Sequence, residues 1–271
     1  MQYKMVVMDI DDTLLDNKHN ITLKNKNAIK KAQESGIKVV LASGRPTFGM
    51  EKIAKELELD KYESYIISFN GAIVTEAKTG KVLFEKALSK ETAHKLYDIS
   101  KEYKVDIHTY LDDDIIVSRS NEYTDIENEI TGMNVKVAEN FKKTVDRDVV
   151  KLIMLENPDY LKNVEEDLKK KLSNELSITI SKPFFLEFTD KGINKATGIE
   201  NLINRIGIKK EEVIAIGDSY NDLEMIQYAG LGVCVDNGYD DIKKHAKYIA
   251  KSNEDSGVAE VINKFIFNNI D

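Results

Sequence analysis

Asp9 and Asp11 follow directly on Lys4-Met5-Val6-Val7-Met8, an apolar run with the length of a buried strand. Side chains alternate along a strand, so the two carboxylates leave its end on one side. Paired there, they repel each other unless a cation or a proton holds them. A hard divalent cation such as Mg²⁺ answers that need with oxygen ligands. The pair therefore reads as a metal-assisted site in which one carboxylate can also attack a substrate.

Other polar loops follow other apolar runs. Ser43-Gly44-Arg45-Pro46 comes after Lys38–Ala42, and Pro46 suits the first turn of a following helix. A serine hydroxyl with free backbone N–H groups at a helix start makes an anion site. Asn70-Gly71 ends the run 65–69, Gly217-Asp218-Ser219-Tyr220-Asn221-Asp222 follows 213–216, and Asp236-Asn237-Gly238 follows 231–235. Each alone reads as an ordinary turn or helix cap. Ligands of open parallel sheets bind beyond the carboxyl ends of the strands, so their joint occurrence is what points to a site. Lys195 starts a helical segment after Gly192-Ile193-Asn194. Spacing alone makes it a solvated lysine, whereas a functional role would bring its ammonium to a phosphate as a point charge.

The elements that position these loops alternate in type. Strand-like runs at 5–8 and 38–42 flank a helical pattern from Leu23 to Ser35, which Gly36 stops. The same order returns near the C-terminus, with strands at 213–216, 231–235 and 248–250 and helices at 194–205 and 222–228. This predicts an α/β fold with a Rossmann-like parallel-sheet core and right-handed crossovers. Residues 84–188 differ. Polar and apolar residues alternate at 114–118, 149–155, 177–181 and 184–189, with helical segments at 89–103 and 158–172. They predict an inserted α+β domain whose antiparallel sheet has one wet face. The core is then 1–83 with 189–271.

The chain has 271 residues, 42% hydrophobic and 32% charged, enough for one large domain or two smaller ones. A net charge of −8 argues against a nucleic-acid surface but allows a locally positive pocket. No apolar run approaches the ~20 residues of a membrane span, and the strand that begins within a few residues of Met1 leaves no secretory signal. The lone Cys234, within Leu231-Gly232-Val233-Cys234-Val235, reads as inert strand packing in a reducing, cytoplasmic protein.

Taken in order, Asp9-x-Asp11-x-Thr13, Ser43, Lys195 and Gly217-Asp218-x-x-Asn221-Asp222 resemble the motifs of the haloacid-dehalogenase-like phosphohydrolase superfamily, over nearly the whole chain. Asn70-Gly71-Ala72 and the tail Ser252-Asn253-Glu254-Asp255-Ser256-Gly257-Val258-Ala259 resemble its Cof-type branch (subfamily IIB), whose C2B cap domain is inserted where 84–188 lies here. Lys182-Pro183-Phe184-Phe185-Leu186-Glu187 and Asp236-Asn237 look like its broad-specificity sugar phosphatases.

The resemblance implies an Mg²⁺-dependent phosphatase working through an aspartyl-phosphate. Asp9 would be the nucleophile and Asp11 the general acid/base. The Asp9 carboxylate, the Asp11 main-chain carbonyl and Asp218 would hold the metal. Ser43, Lys195, Asn221 and the main chain at Ile10 and Gly44 would hold phosphate. Thr13 and Asp222 would support from behind, Asp222 by backing the metal shell or orienting Lys195. The cap would close over the site and read the leaving group. His108, Tyr110 and Arg119 lie on the insert and could face the pocket, with packing or plain solvent exposure the simpler reading of each, and His19 lies near the first motif. Expected partners are a small phosphorylated metabolite, foremost a sugar phosphate, and at most a second copy of the chain. A sugar phosphomutase and a non-catalytic phosphosugar sensor are the competing functions. Few positions depart from the family pattern: Asp12 for a common Gly, Gly238 for Ala, Cys234-Val235 for Ala-Met, and an extra Ser256.

Overall fold

Short runs of Val, Ile, Leu and Met that are apolar throughout form strands covered on both faces here, and they set the architecture. The computed structural model describes residues 3–269. In chain order the strands are β1 (Met5–Met8), β2 (Lys38–Ala42), β3 (Tyr65–Ser68), β4 (Ile73–Glu76), β5 (Val82–Glu85), β6 (Asp106–Leu111), β7 (Asp114–Val117), β8 (Asn134–Val137), β9 (Leu152–Leu155), β10 (Leu176–Lys182), β11 (Phe185–Asp190), β12 (Val213–Gly217), β13 (Leu231–Val235) and β14 (Tyr248–Ala250). They form two sheets, in the orders β14-β13-β12-β1-β2-β3-β4-β5 and β10-β11-β9-β6-β7-β8. The chain divides into two compact units, 1–84 with 194–271, and 85–193.

In the first unit, β1 lies between β12 and β2, and all pairs from β14 to β3 are parallel. β3 then turns back antiparallel onto β4. Alternate strand residues feed two cores. Val6, Met8, Val39, Leu41, Ile214 and Ile216 pack on one face, with the helices Leu23–Glu34 and Gly257–Phe265. Met5, Val7, Val40, Ala42, Val213 and Ala215 pack on the other, with the helix Lys195–Ile206. Each such side chain contributes about 1.5–3 kcal/mol by leaving water. This is the α/β, parallel-core fold expected from the sequence.

In the second unit every strand pair is antiparallel except β7 with β8. One face packs Ile107, Ile116, Leu152, Met154, Leu186 and Phe188 against Leu161, Val164 and Leu168 of the helix Pro158–Leu172. The opposite face is not the wet one that alternation suggested. His108, Ile115, Ile153, Phe185 and Glu187 are all buried there. Most of the polar members pair: Lys151 meets Glu187 at 3.0 Å and the Tyr110 hydroxyl donates to Glu127 at 2.5 Å, while His108 Nδ1 has no hydrogen-bond partner among the described residues. The strand β6 and the helix Glu122–Thr131 were not anticipated. That helix buries Thr124, Glu127 and Thr131, so no apolar stripe marks it.

Candidate active site

β13, β12, β1, β2 and β3 are neighbours and all parallel, so their carboxyl ends share one edge of the sheet. The five polar loops read from the sequence meet there. Asp9 leaves β1 with its N–H donating to the Ile216 carbonyl at 2.9 Å. Asp12 takes φ 60°, a left-handed conformation that Gly adopts freely and Asp tolerates. Ile10 is buried, and its carbonyl accepts the N–H groups of Leu14 and Leu15. Two asparagines close this loop from outside: Asn253 of the tail motif donates its Nδ2 to the Leu15 carbonyl at 2.9 Å, and Asn237 of the loop after β13 donates its Nδ2 to the Asp12 carbonyl at 2.6 Å.

Lys195 is fully buried and is not the solvated lysine that spacing suggested. Asn194 caps its helix by accepting the Thr197 N–H at 3.0 Å. A Cβ at Gly71, where φ is 102°, would stand 2.1 Å from the Asn194 carbonyl, and one at Gly198 would stand 2.7 Å from Ile67 Cγ2. Bare backbone at both positions lets the helix start press against the turn after β3. From there the Lys195 ammonium donates to Asp9 Oδ1, and to Asp222 Oδ1 at 2.6 Å. The other Asp222 oxygen accepts the N–H groups of Asp218 and Ser219 at 2.9 and 3.1 Å. A Cβ at Gly217 would lie 2.5 Å from Asp222 Cβ, which explains a glycine at that place. Asp218 Oδ1 accepts the Thr13 hydroxyl at 2.7 Å.

Asp9, Asp218 and Asp222 each offer an oxygen within 4.8 Å of the others, and all three are buried. One ammonium among three carboxylates leaves negative charge uncompensated. Burial, opposed by Lys195 and reinforced by Asp222 and Asp218, holds the Asp9 carboxyl well above the usual carboxylate range. Burial and the neighbouring Asp222 push Asp218 up to about 7, against the Thr13 hydrogen bond. Burial alone would pull Lys195 down, but Asp222 and Asp9 outweigh it and hold it above the ordinary lysine value. The donors are hard oxygens, with no His or Cys in the cluster, and suit a small divalent cation.

The other expected residues line the same edge. Ser43 is buried, and its Oγ accepts the Arg45 N–H at 3.2 Å. A Cβ at Gly44 would meet the Asn70 side chain at 3.2 Å. Asn221 Nδ2 donates to Asn70 Oδ1 at 3.1 Å, and the Ser219 hydroxyl donates to Asn221 Oδ1 at 2.8 Å. The Asp11 carboxylate turns to Arg45. Arg45 and Asn70 had no assigned role in the sequence reading, although both lie in loops already marked as polar. Only the distances show whom they hold.

Of the insert residues, His108 is buried, with burial and then Lys151 lowering its pKa to about 3. Arg119 is mostly exposed and binds Asp106 at 2.8 Å. Cys234 is buried in β13, and burial with Asp218 pushes its thiol up to about 12, which leaves it inert. A Cβ at Gly238 would stand 2.6 Å from Cys234 Sγ and 2.8 Å from the Asp218 carbonyl oxygen, so bare backbone packs there.

Residues 6–262 match the sequence profile of the haloacid dehalogenase-like hydrolases. A 5-amino-6-(5-phospho-D-ribitylamino)uracil phosphatase of Bacillus subtilis is 30% identical over 264 residues, which cover 97% of this chain and 96% of that one. The phosphatase YwpJ of the same organism is 27% identical over 287 residues, covering 96% of this chain and 98% of its own. A haloacid dehalogenase-like hydrolase of Bacteroides thetaiotaomicron superposes with a TM-score of 0.92 at 35% identity, over 97% of this chain and 99% of that one.

Proposed function

The chain belongs to the haloacid dehalogenase-like hydrolase family, and we propose that within it this protein hydrolyses small phosphate monoesters, sugar phosphates foremost, through a phosphoryl group carried on Asp9. The observation that carries this reading is the buried ammonium of Lys195, shared by Asp9 and Asp222 beside Asp218. Structural lysines seldom lie fully buried at a sheet edge where carboxylates outnumber them. The phosphatase names of similar chains support it further. All these groups lie in the first unit, to which we assign the chemistry.

Asp9, Asp218 and the Asp11 main-chain carbonyl are the groups that would hold Mg²⁺. When bound, the ion screens the Asp9 carboxylate from an anionic phosphate and stabilises charge on the moving phosphoryl group. An Asp9 carboxylate oxygen bonds to phosphorus as the bond from phosphorus to the leaving oxygen breaks. Asp11 gives its proton to that oxygen, so an alcohol departs. Water then attacks phosphorus, Asp11 takes its proton, and the Asp9–phosphorus bond breaks to free phosphate. The Ser43 hydroxyl, the Asn221 amide and the main-chain N–H groups of Ile10 and Gly44 hold the phosphate oxygens. Lys195 offsets phosphate charge that the carboxylates oppose, Thr13 fixes Asp218, and Asp222 orients Lys195.

The test is phosphate release across a panel of sugar phosphates, with and without Mg²⁺. Release is expected only with the metal, and Asp9→Asn should lower it by about 10³-fold or more while the protein stays folded. Turnover by Asp9→Asn at the native rate would remove Asp9 from its role. Isomerised sugar phosphate without free phosphate would identify a phosphomutase instead.

A further inference from the structure

Arg45 has none of the roles above, yet it holds the carboxylate that moves protons. Its Nε donates to Asp11 Oδ2 at 2.9 Å and its Nη2 to Asp11 Oδ1 at 2.6 Å. Its Nη1 donates to the Gly49 carbonyl at 3.3 Å. Its own backbone is tied to two loops of the site, the N–H to Ser43 Oγ at 3.2 Å and the carbonyl to the Phe69 N–H at 3.0 Å. The Asp11 side chain is 46% exposed and that of Arg45 20%. A carboxylate so open would sample several rotamers on its own, whereas a planar fork gripping both oxygens fixes its plane as well as its position. Each carboxylate oxygen has a second lone pair, so the fork leaves room for the proton.

We propose that Arg45 is a positioning residue: by gripping both oxygens of Asp11 it aims that carboxyl first at the leaving oxygen and then at the attacking water. This rests on the phosphatase reading given above. It predicts that Arg45 matters in proportion to how much the leaving group needs a proton. An alkoxide leaves poorly without one, while p-nitrophenolate departs as the anion. A direct hold on phosphate would instead slow both kinds of ester alike.

Single-turnover rates isolate the first displacement, measured for p-nitrophenyl phosphate and for the alkyl phosphate that the native protein cleaves best. Arg45→Ala should lower the alkyl-to-aryl rate ratio by about 10-fold or more. Arg45→Lys should fall between, because an ammonium grips at one point. In an Asp11→Asn background Arg45→Ala should leave the ratio unchanged, since Arg45 acts through Asp11. If Arg45→Ala does not fold, Arg45→Gln is read in its place. An unchanged ratio in the otherwise native chain, or a further drop in the Asp11→Asn background, overturns the proposal. A native protein that releases phosphate from neither ester overturns the proposed function instead.

Discussion

At the edge of the eight-stranded sheet, Lys195 faces Asp9 and Asp222 with Asp218 close by. In the six-stranded sheet, Lys151 meets Glu187 while Tyr110 donates to Glu127. Both groups are buried, but their charge is balanced differently. In the second, burial raises Glu127 and Tyr110 and lowers His108, and each carboxyl has a donor of its own, Lys151 for Glu187 and the Tyr110 hydroxyl for Glu127. In the first, three carboxyl groups crowd within 4.8 Å around one ammonium, which Asp9 and Asp222 share, and burial with the neighbouring carboxylates raises Asp9 and Asp218. The backbones differ too. The first group sits on loops that glycines 71, 198 and 217 allow to approach closely, and most of the second on strands fixed by pairing. Carboxyl groups crowded on one shared counter-charge, rather than buried charge as such, set the first group apart and make it the candidate site.

Replacing the two lysines should separate the two groups most severely. Lys195→Ala leaves Asp9 and Asp222 buried without their counter-charge. It should cost about 3–5 kcal/mol in urea unfolding and lower phosphate release by about 10³-fold. No partner change should restore activity. Lys151→Met should cost up to about 3–5 kcal/mol by stranding Glu187, but adding Glu187→Leu should recover most of it, because a buried pair can be replaced by packed apolar groups. If the double replacement is no more stable than the single one, the second group does more than balance itself.

A smaller effect is expected in the pH dependence of stability. A carboxyl held above its unfolded value keeps a proton that the unfolded chain has lost, so stability falls as pH rises. For Asp218 that window runs from its ordinary 3.8 to about 7, and Asp9 acts in the same direction. Without metal, the protein should therefore lose stability from pH 4 to 7. Saturating Mg²⁺ should raise the melting temperature on the order of 5–10 °C at pH 8, and much less at pH 5, where protons compete for the same oxygens. Scanning calorimetry at the two pH values measures this. Equal shifts at both would remove the carboxylates as the metal's ligands.

The two regions were also unequally legible. The strands at 5–8, 38–42, 231–235 and 248–250 lie where the apolar runs put them, because strands buried on both faces write continuous apolar runs. The loops of the site were legible because parallel strands deliver their ends to one edge. Lys195 was not, since spacing says nothing of burial, and only the resemblance gave it a part. The insert hid more. Its β6 carries Asp106, His108 and Thr109, all buried, so polarity there signals pairing and not water. The partnership of Asp11 with Arg45 spans two loops, and no periodicity within either reports it.

In the proposed mechanism, phosphate passes through Asp9 in two displacements. The stereochemical course at phosphorus tests it most directly, using a chiral, isotopically labelled thiophosphate ester hydrolysed in labelled water. Each in-line displacement inverts configuration, so a covalent intermediate predicts net retention in the product. Net inversion would mean that water attacks the substrate itself, and would contradict Asp9 as nucleophile.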